Sequence, residues 1–168
     1  MDKLVQELLS LLRDLLAGQE RLLKLALARR DAMRIFDIQK LESLSSQERA
    51  ETTTLASLDR RRQALVAQFR VHFGKTGINV LEPTVSEIAR RSPEPAKTQL
   101  LALAAQLKET VEQLDRNTRI NSAVSDSVVK GLAKVLKVVT GLAQHAGLYM
   151  RNGRKAAMQG IHLLEVTG

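Results

Sequence analysis

The chain contains no cysteine and no tryptophan. Without thiols there is no disulfide framework, thiolate metal site or cysteine nucleophile, which suits a reducing compartment. Aromatic side chains are limited to Phe36, Phe69, Phe73 and Tyr149. Three prolines and nine glycines are too few for the turn-dense layout of an all-β sandwich. The longest stretch free of Asp, Glu, Lys and Arg is the 13 residues from Val138 to Met150, short of the roughly 18 or more that a spanning helix needs. The first residues mix acid and base (Asp2, Lys3, Glu7) and lack a signal-peptide core. No membrane insertion is expected.

What remains is a chain rich in helix formers. Its 168 residues are 44% apolar and 26% charged, and residues 1–168 read as a single helical domain. The net charge of +8 is uneven: Arg116 to Gly168 holds 8 basic and 2 acidic residues, so an acidic or anionic partner suits that end.

From Asp2 to Phe73 there is no proline and one glycine, Gly18. Leu4, Leu8, Leu11, Leu15, Gly18, Leu22 and Leu25 recur at spacings of four and three, one apolar stripe on a helix. Leu12, Leu16 and Leu23 widen it enough to face more than one neighbour. The register breaks at Phe36 and Leu41 and resumes through Leu44, Leu55, Leu58, Leu65 and Phe69. Ser45-Ser46-Gln47-Glu48 resembles a capping box. The pattern therefore predicts a long helix over 1–73 with a kink or break near 44–50.

Gly74, Gly77, Asn79 and Pro83 punctuate the next segment. Residues 74–92 read as a connection carrying a short helix at 84–91, opened by the Thr84-Val85-Ser86-Glu87 capping box. Ser92-Pro93-Glu94 then offers an N-cap for a second long helix over 93–150. Its stripe runs Leu100, Ala104, Leu107, Val111, Leu114, Thr118, Asn121, Ser125, Val128, Leu132, Val135, Val139, Leu142, Ala146, Tyr149, a coiled-coil seam. Thr118, Asn121 and Ser125 form consecutive polar layers that set register or leave a partly solvated gap. Arg151-Asn152-Gly153 reads as the stop, and 151–168 as a mobile tail. The expected fold is all-α: two long antiparallel helices, an αα-hairpin or slender coiled-coil-like bundle, as monomer or homodimer.

The residues offer little chemistry. Gly74-Lys75-Thr76 lacks the preceding glycine and strand of a phosphate loop and reads as a helix cap and turn. His72, His145 and His162 are scattered without partners at ligand spacing. Asp31 and Asp37, six apart, do not share a helical face, and no serine sits in a Gly-x-Ser-x-Gly elbow. No catalysis, metal, cofactor or small-molecule substrate is expected. Arg29-Arg30 and Arg60-Arg61-Arg62 stand near acids and read as solvated faces.

The apolar seam of the second helix is the better lead. Val128, Leu132, Val135, Val139 and Leu142 either pack on the first helix or form a groove for an amphipathic segment of another protein. Lys130, Lys134 and Lys137 fall at i, i+4, i+7 and make one basic ridge, expected beside the seam and suited to steering an acidic partner. Aromatic interleaving and the known DNA-reading motifs are missing, which disfavours nucleic acid. The competing reading is a basic coiled-coil structural or nucleic-acid-binding protein.

Several strings resemble the FlgN family of flagellar export chaperones. They are Gln19-Glu20-Arg21-Leu22-Leu23-Lys24-Leu25-Ala26, Arg30-Asp31-Ala32-Met33, Asp37, Leu41-Glu42, Glu48, Leu58-Asp59-Arg60-Arg61-Arg62, the spaced Asn117 and Asn121, and Tyr149 through Gly153. The resemblance implies a cytoplasmic, non-enzymatic chaperone. It would hold hook-associated (hook–filament junction) proteins by their C-terminal helical segments and deliver them to the type III flagellar export gate. It also implies client binding at Val128 to Leu142 and gate docking at Tyr149. The basic balance departs from a family whose members are often acidic, and the tail from Arg154 is less family-like.

Overall fold

The computed structural model describes residues 1–75, 77 and 83–146, side chains excepted at 139 and 141–146. Among the described residues four helices follow one another: α1 (Asp2–Arg34), α2 (Ile38–Lys75), α3 (Val85–Arg90) and α4 (Ala96–Ala146). No strand occurs among the described residues. The chain separates into two compact units, one from Met1 to Val124 and one beginning at Ser125; α4 contributes to both.

The expected first helix is two helices. It breaks at Ile35–Asp37, not near 44–50, and the chain reverses there. Asp37 N–H donates to Ala32 O at 3.0 Å and Phe36 N–H to Met33 O at 3.3 Å, the paired bonds of a Schellman ending. Phe36 takes the left-handed conformation (φ 55°) that such an ending requires and that glycine usually fills. Asp37 then caps α2, its Oδ1 accepting from Lys40 N–H at 2.9 Å. Ile35, Phe36 and Ile38 are exposed, so the turn has no core of its own. Phe36→Gly is expected to stabilise the chain by about 1 kcal/mol, by removing the left-handed Cβ penalty without losing burial. A denaturation midpoint that fails to rise would contradict this account of the turn.

Within the first unit, α1 and α2 run antiparallel. Bidentate pairs join Arg29 to Glu48 (3.0 and 2.7 Å) and Arg21 to Glu51 (2.9 and 2.7 Å), while Gly18 faces Leu55. Ser45 and Glu48, the expected restart, both accept from Arg29 across the two helices, so α2 continues through that segment. The hydroxyls of Thr52, Thr53 and Thr54 donate to carbonyls four residues back, an arrangement that meets their polar groups within the helix but tends to bend it.

Gly18 marks the closest approach. A Cβ there would lie 2.6 Å from Leu55 Cδ2 and 3.2 Å from Leu55 Cγ and Glu51 Oε1. Leucine is a better helix former than glycine by close to 1 kcal/mol, so an exposed site would gain from the exchange. At this position Gly18→Leu is expected to lose about 1–3 kcal/mol net through overpacking, read as a lower urea midpoint at unchanged slope. Parental stability would show that the helices do not approach so closely.

α4 runs parallel to α1. Arg13 meets Gln99 and Arg30 meets Asn117, partners separated by 86 and 87 residues. The first unit is thus an up-down-up arrangement of three long helical segments, in place of a two-helix hairpin. α1 meets both α2 and α4, which accounts for its wide leucine stripe. Val5, Leu8, Leu9, Leu11, Leu12 and Leu15 meet Leu65, Phe69 and Phe73 of α2, Ile88 and Ala89 of α3, and Ala96 and Leu100 of α4. The Phe69 and Phe73 rings are 6.0 Å apart, and the Arg91 guanidinium lies 5.2 Å from the centre of Phe73.

α3 adds Ile88 and Ala89 to this core. Thr84 and Glu87 form a reciprocal capping box, Thr84 Oγ1 accepting from Glu87 N–H and Glu87 Oε2 from Thr84 N–H. Ser92, expected to start the last helix, instead donates its hydroxyl to Ile88 O at 2.8 Å and ties off α3. Glu94 supplies the start of α4, accepting from the Thr98 hydroxyl at 2.8 Å. The expected stop at 151–153 and the tail lie outside the described residues.

Candidate functional site

α4 changes character along its length. Near its start the stripe is a packing surface: Leu100 is fully buried and Leu107, with Leu103 beside the stripe, lies against the core, whereas Val111 is 43% exposed. The polar layers then fix the helix to α1. Asn121 is buried; its Nδ2 donates to Ala26 O at 2.7 Å and its Oδ1 accepts from Arg30 Nε at 3.5 Å. The Arg30 guanidinium also donates to Asn117 Oδ1. Thr118 is exposed and Ser125 half-buried, so Asn121, with Asn117 beside the stripe, carries the registry role. A buried amide with its hydrogen bonds met tolerates one alignment of α4 on α1 and disfavours slippage.

Beyond Ser125 the same helix presents apolar side chains to solvent. Val129, Leu132, Val135, Leu136 and Val138 are each between 60% and 65% exposed, and Val128 is half-buried. From Val128 to Val138 the row is about 15 Å long at ~1.5 Å per residue. Gly131 has open space where a Cβ would stand. Of the expected contact residues, Val128, Leu132 and Val135 share this row. Val139 and Leu142 continue the helix backbone, their side chains outside the described set. Tyr149 lies outside the described residues.

Three exposed apolar residues of this segment were absent from the expected site: Val129, Leu136 and Val138. Following the four-and-three alternation alone passes over them. The Val128-Val129 pair and the dense Val/Leu run through Val138 are the signal that finds them.

Lys130, Lys134 and Lys137 are exposed, but they do not stand beside the seam. With about 100° between successive residues of an α-helix, their mean direction is roughly 160° from that of Val128, Leu132 and Val135. The ridge is on the far side of the helix. An i, i+4, i+7 pattern defines a ridge and leaves open which face neighbours it.

Among the described residues, the carboxyls with displaced pKa values stand in ion pairs or in a helix cap. The Arg21 hydrogen bond holds the Glu51 carboxyl below its ordinary value, and Arg62 does the same for Asp59, with Gln63 assisting. The Thr84 backbone N–H, with its hydroxyl, lowers Glu87. Each of these carboxylates contributes stability above its unfolded pKa, and the contribution disappears as pH falls through the folded value. Shallow grooves run along the described part of the bundle. One is lined by Leu4, Ala67, Gln68, Val71, His72 and Lys75; another by Arg21, Lys24, Leu25, Gln47, Ala50, Glu51 and Thr54. Among the described residues no cluster of His, Asp and Glu could hold a metal ion, and no helix is long and apolar enough to cross a membrane.

The family model described as FlgN protein matches residues 1–157. The chain belongs to the FlgN family, a family of flagellar export chaperones and not of enzymes. Comparison with curated proteins and with solved structures gives no match.

Proposed function

We propose that this chain is a cytoplasmic chaperone for hook-associated, hook–filament junction proteins of the flagellum. It binds their C-terminal helical segments along the distal part of α4 and delivers them to the type III export apparatus. The observation that carries the reading is the apolar row of half-buried Val128 and exposed Leu132 and Val135 in a member of a flagellar export chaperone family. The row has the spacing that accepts an amphipathic helix. A client segment disordered when free would gain helix and burial together on docking.

Val139 and Leu142 extend the proposed face by another turn. The lysine ridge faces away from it, so its part is long-range attraction of an acidic client, felt in association rate and salt dependence more than in affinity. Tyr149 is the proposed docking point on the export gate. Binding is stoichiometric, by a monomer or homodimer, with no bond made or broken.

The purified chain is expected to capture the C-terminal helical segment of a hook-associated protein, with a gain in helicity by circular dichroism. No complex with any hook-associated segment would remove the proposal. Tyr149→Ala is expected to leave that capture intact and to weaken retention of the loaded chaperone on the export gate component by tenfold or so, as loss of one aromatic anchor does. Equal retention of variant and parent would exclude Tyr149 as the docking point.

A further inference from the structure

The exposed sector beyond Ser125 is wider than a docking seam for one helix requires. At about 100° per residue, Val138, Val135, Val128, Leu132, Leu136 and Val129 sweep roughly half of the helix circumference. A seam between two helices is a narrower stripe. Lys130, Lys134 and Lys137 occupy a sector of about 60° on the opposite side, and Asp126 is the one acidic residue from Ser125 to Gln144. Apolar side chains covering one half and lysines gathered on the other match the pattern of helices that lie in a membrane interface without spanning it.

We propose that this segment of α4 binds the surface of an anionic lipid bilayer. Val128, Val129, Leu132, Val135 and Leu136 would enter the boundary between headgroups and acyl chains. The lysines would remain in the headgroup layer, attracted by lipid phosphates. Charge complementarity favours this occupant: an anionic surface meets all three lysines with opposite charge, whereas a second copy of the chain offers the same lysines and no counter-charge for them. The inference does not depend on the client reading. If both hold, client and bilayer compete for one face, and loading a client would release the chaperone from the surface.

The test is co-sedimentation of the full chain with vesicles of mixed phosphatidylglycerol and phosphatidylcholine, against phosphatidylcholine alone. Binding is expected to the mixed vesicles only and to weaken as salt is raised. Lys130→Gln, Lys134→Gln and Lys137→Gln together should weaken it by about a hundredfold, roughly fivefold for each lysine. Leu132→Glu with Leu136→Glu should abolish it. Both side chains are exposed, and unchanged circular dichroism would show that the fold survives. Equal sedimentation with both vesicle types would overturn the inference, as would binding indifferent to both variants. So would retention by duplex DNA, or self-association, without vesicle binding. Client capture measured on the same preparation keeps the readings apart: capture without vesicle binding defeats this inference alone, and the reverse defeats the client site alone.

Discussion

Val135→Asp is expected to reduce capture of a hook-associated C-terminal segment by at least about a hundredfold, because a docked apolar helix would strip water from an unpaired carboxylate. Val135 is 60% exposed in the free chain, so the substitution removes little from the fold. Only the added charge acts on the free protein, since Val and Asp lie close together in helix propensity. Circular dichroism and thermal midpoint should therefore stay close to the parent while the complex disappears. Leu142→Asp and Leu132→Asp should behave alike if the face extends as proposed. Undiminished capture by all three variants would move the client site elsewhere on the molecule.

Phe69→Ala should have the opposite profile. Phe69 is fully buried and contacts Phe73 in the core where α1, α2, α3 and the start of α4 meet. Truncating it leaves a cavity among neighbours that cannot all close in, at a cost of about 3–5 kcal/mol. For a chain of this size that corresponds to a fall in thermal midpoint of roughly 10 °C. Below that midpoint the exposed row on α4 is chemically unchanged, so client capture at low temperature should persist. A small shift would mean that the end of the bundle is loosely packed and that Phe69 is not its centre.

The two substitutions separate roles that the sequence joins. Leu100 and Leu132 sit on one uninterrupted alternation of fours and threes, and periodicity alone assigns both to a seam. One is fully buried and the other 60% exposed. The stripe specifies that a face is apolar. What covers it depends on which neighbour reaches it, and that is a matter of chain path.

The chain path turned on a feature with weak local signal. Reversal at Ile35–Asp37 uses neither glycine nor proline, so the usual punctuation is absent, and the left-handed residue is Phe36. The register break starting at Phe36 and the aspartate after it were the available signs. By contrast, Ser45 and Glu48 looked like a helix start, but Arg29 of the facing helix takes both. Local hydrogen-bonding capacity is visible in a sequence; the partner that uses it is decided in three dimensions.

By itself, then, the order of residues determined an all-helical chain, the leucine face of α1 and the Thr84–Glu87 cap. It also carried the likeness to the FlgN family and the apolar character of α4 through Val135. These rest on short-range periodicity and side-chain type, which act within a few turns of helix. Tertiary structure decided that the first helical stretch folds back on itself and that Asn121 locks α4 to Ala26 and Arg30. It decided too that the row after Ser125 is open, because burial is a property of neighbours far away in sequence and is settled only when the helices have met.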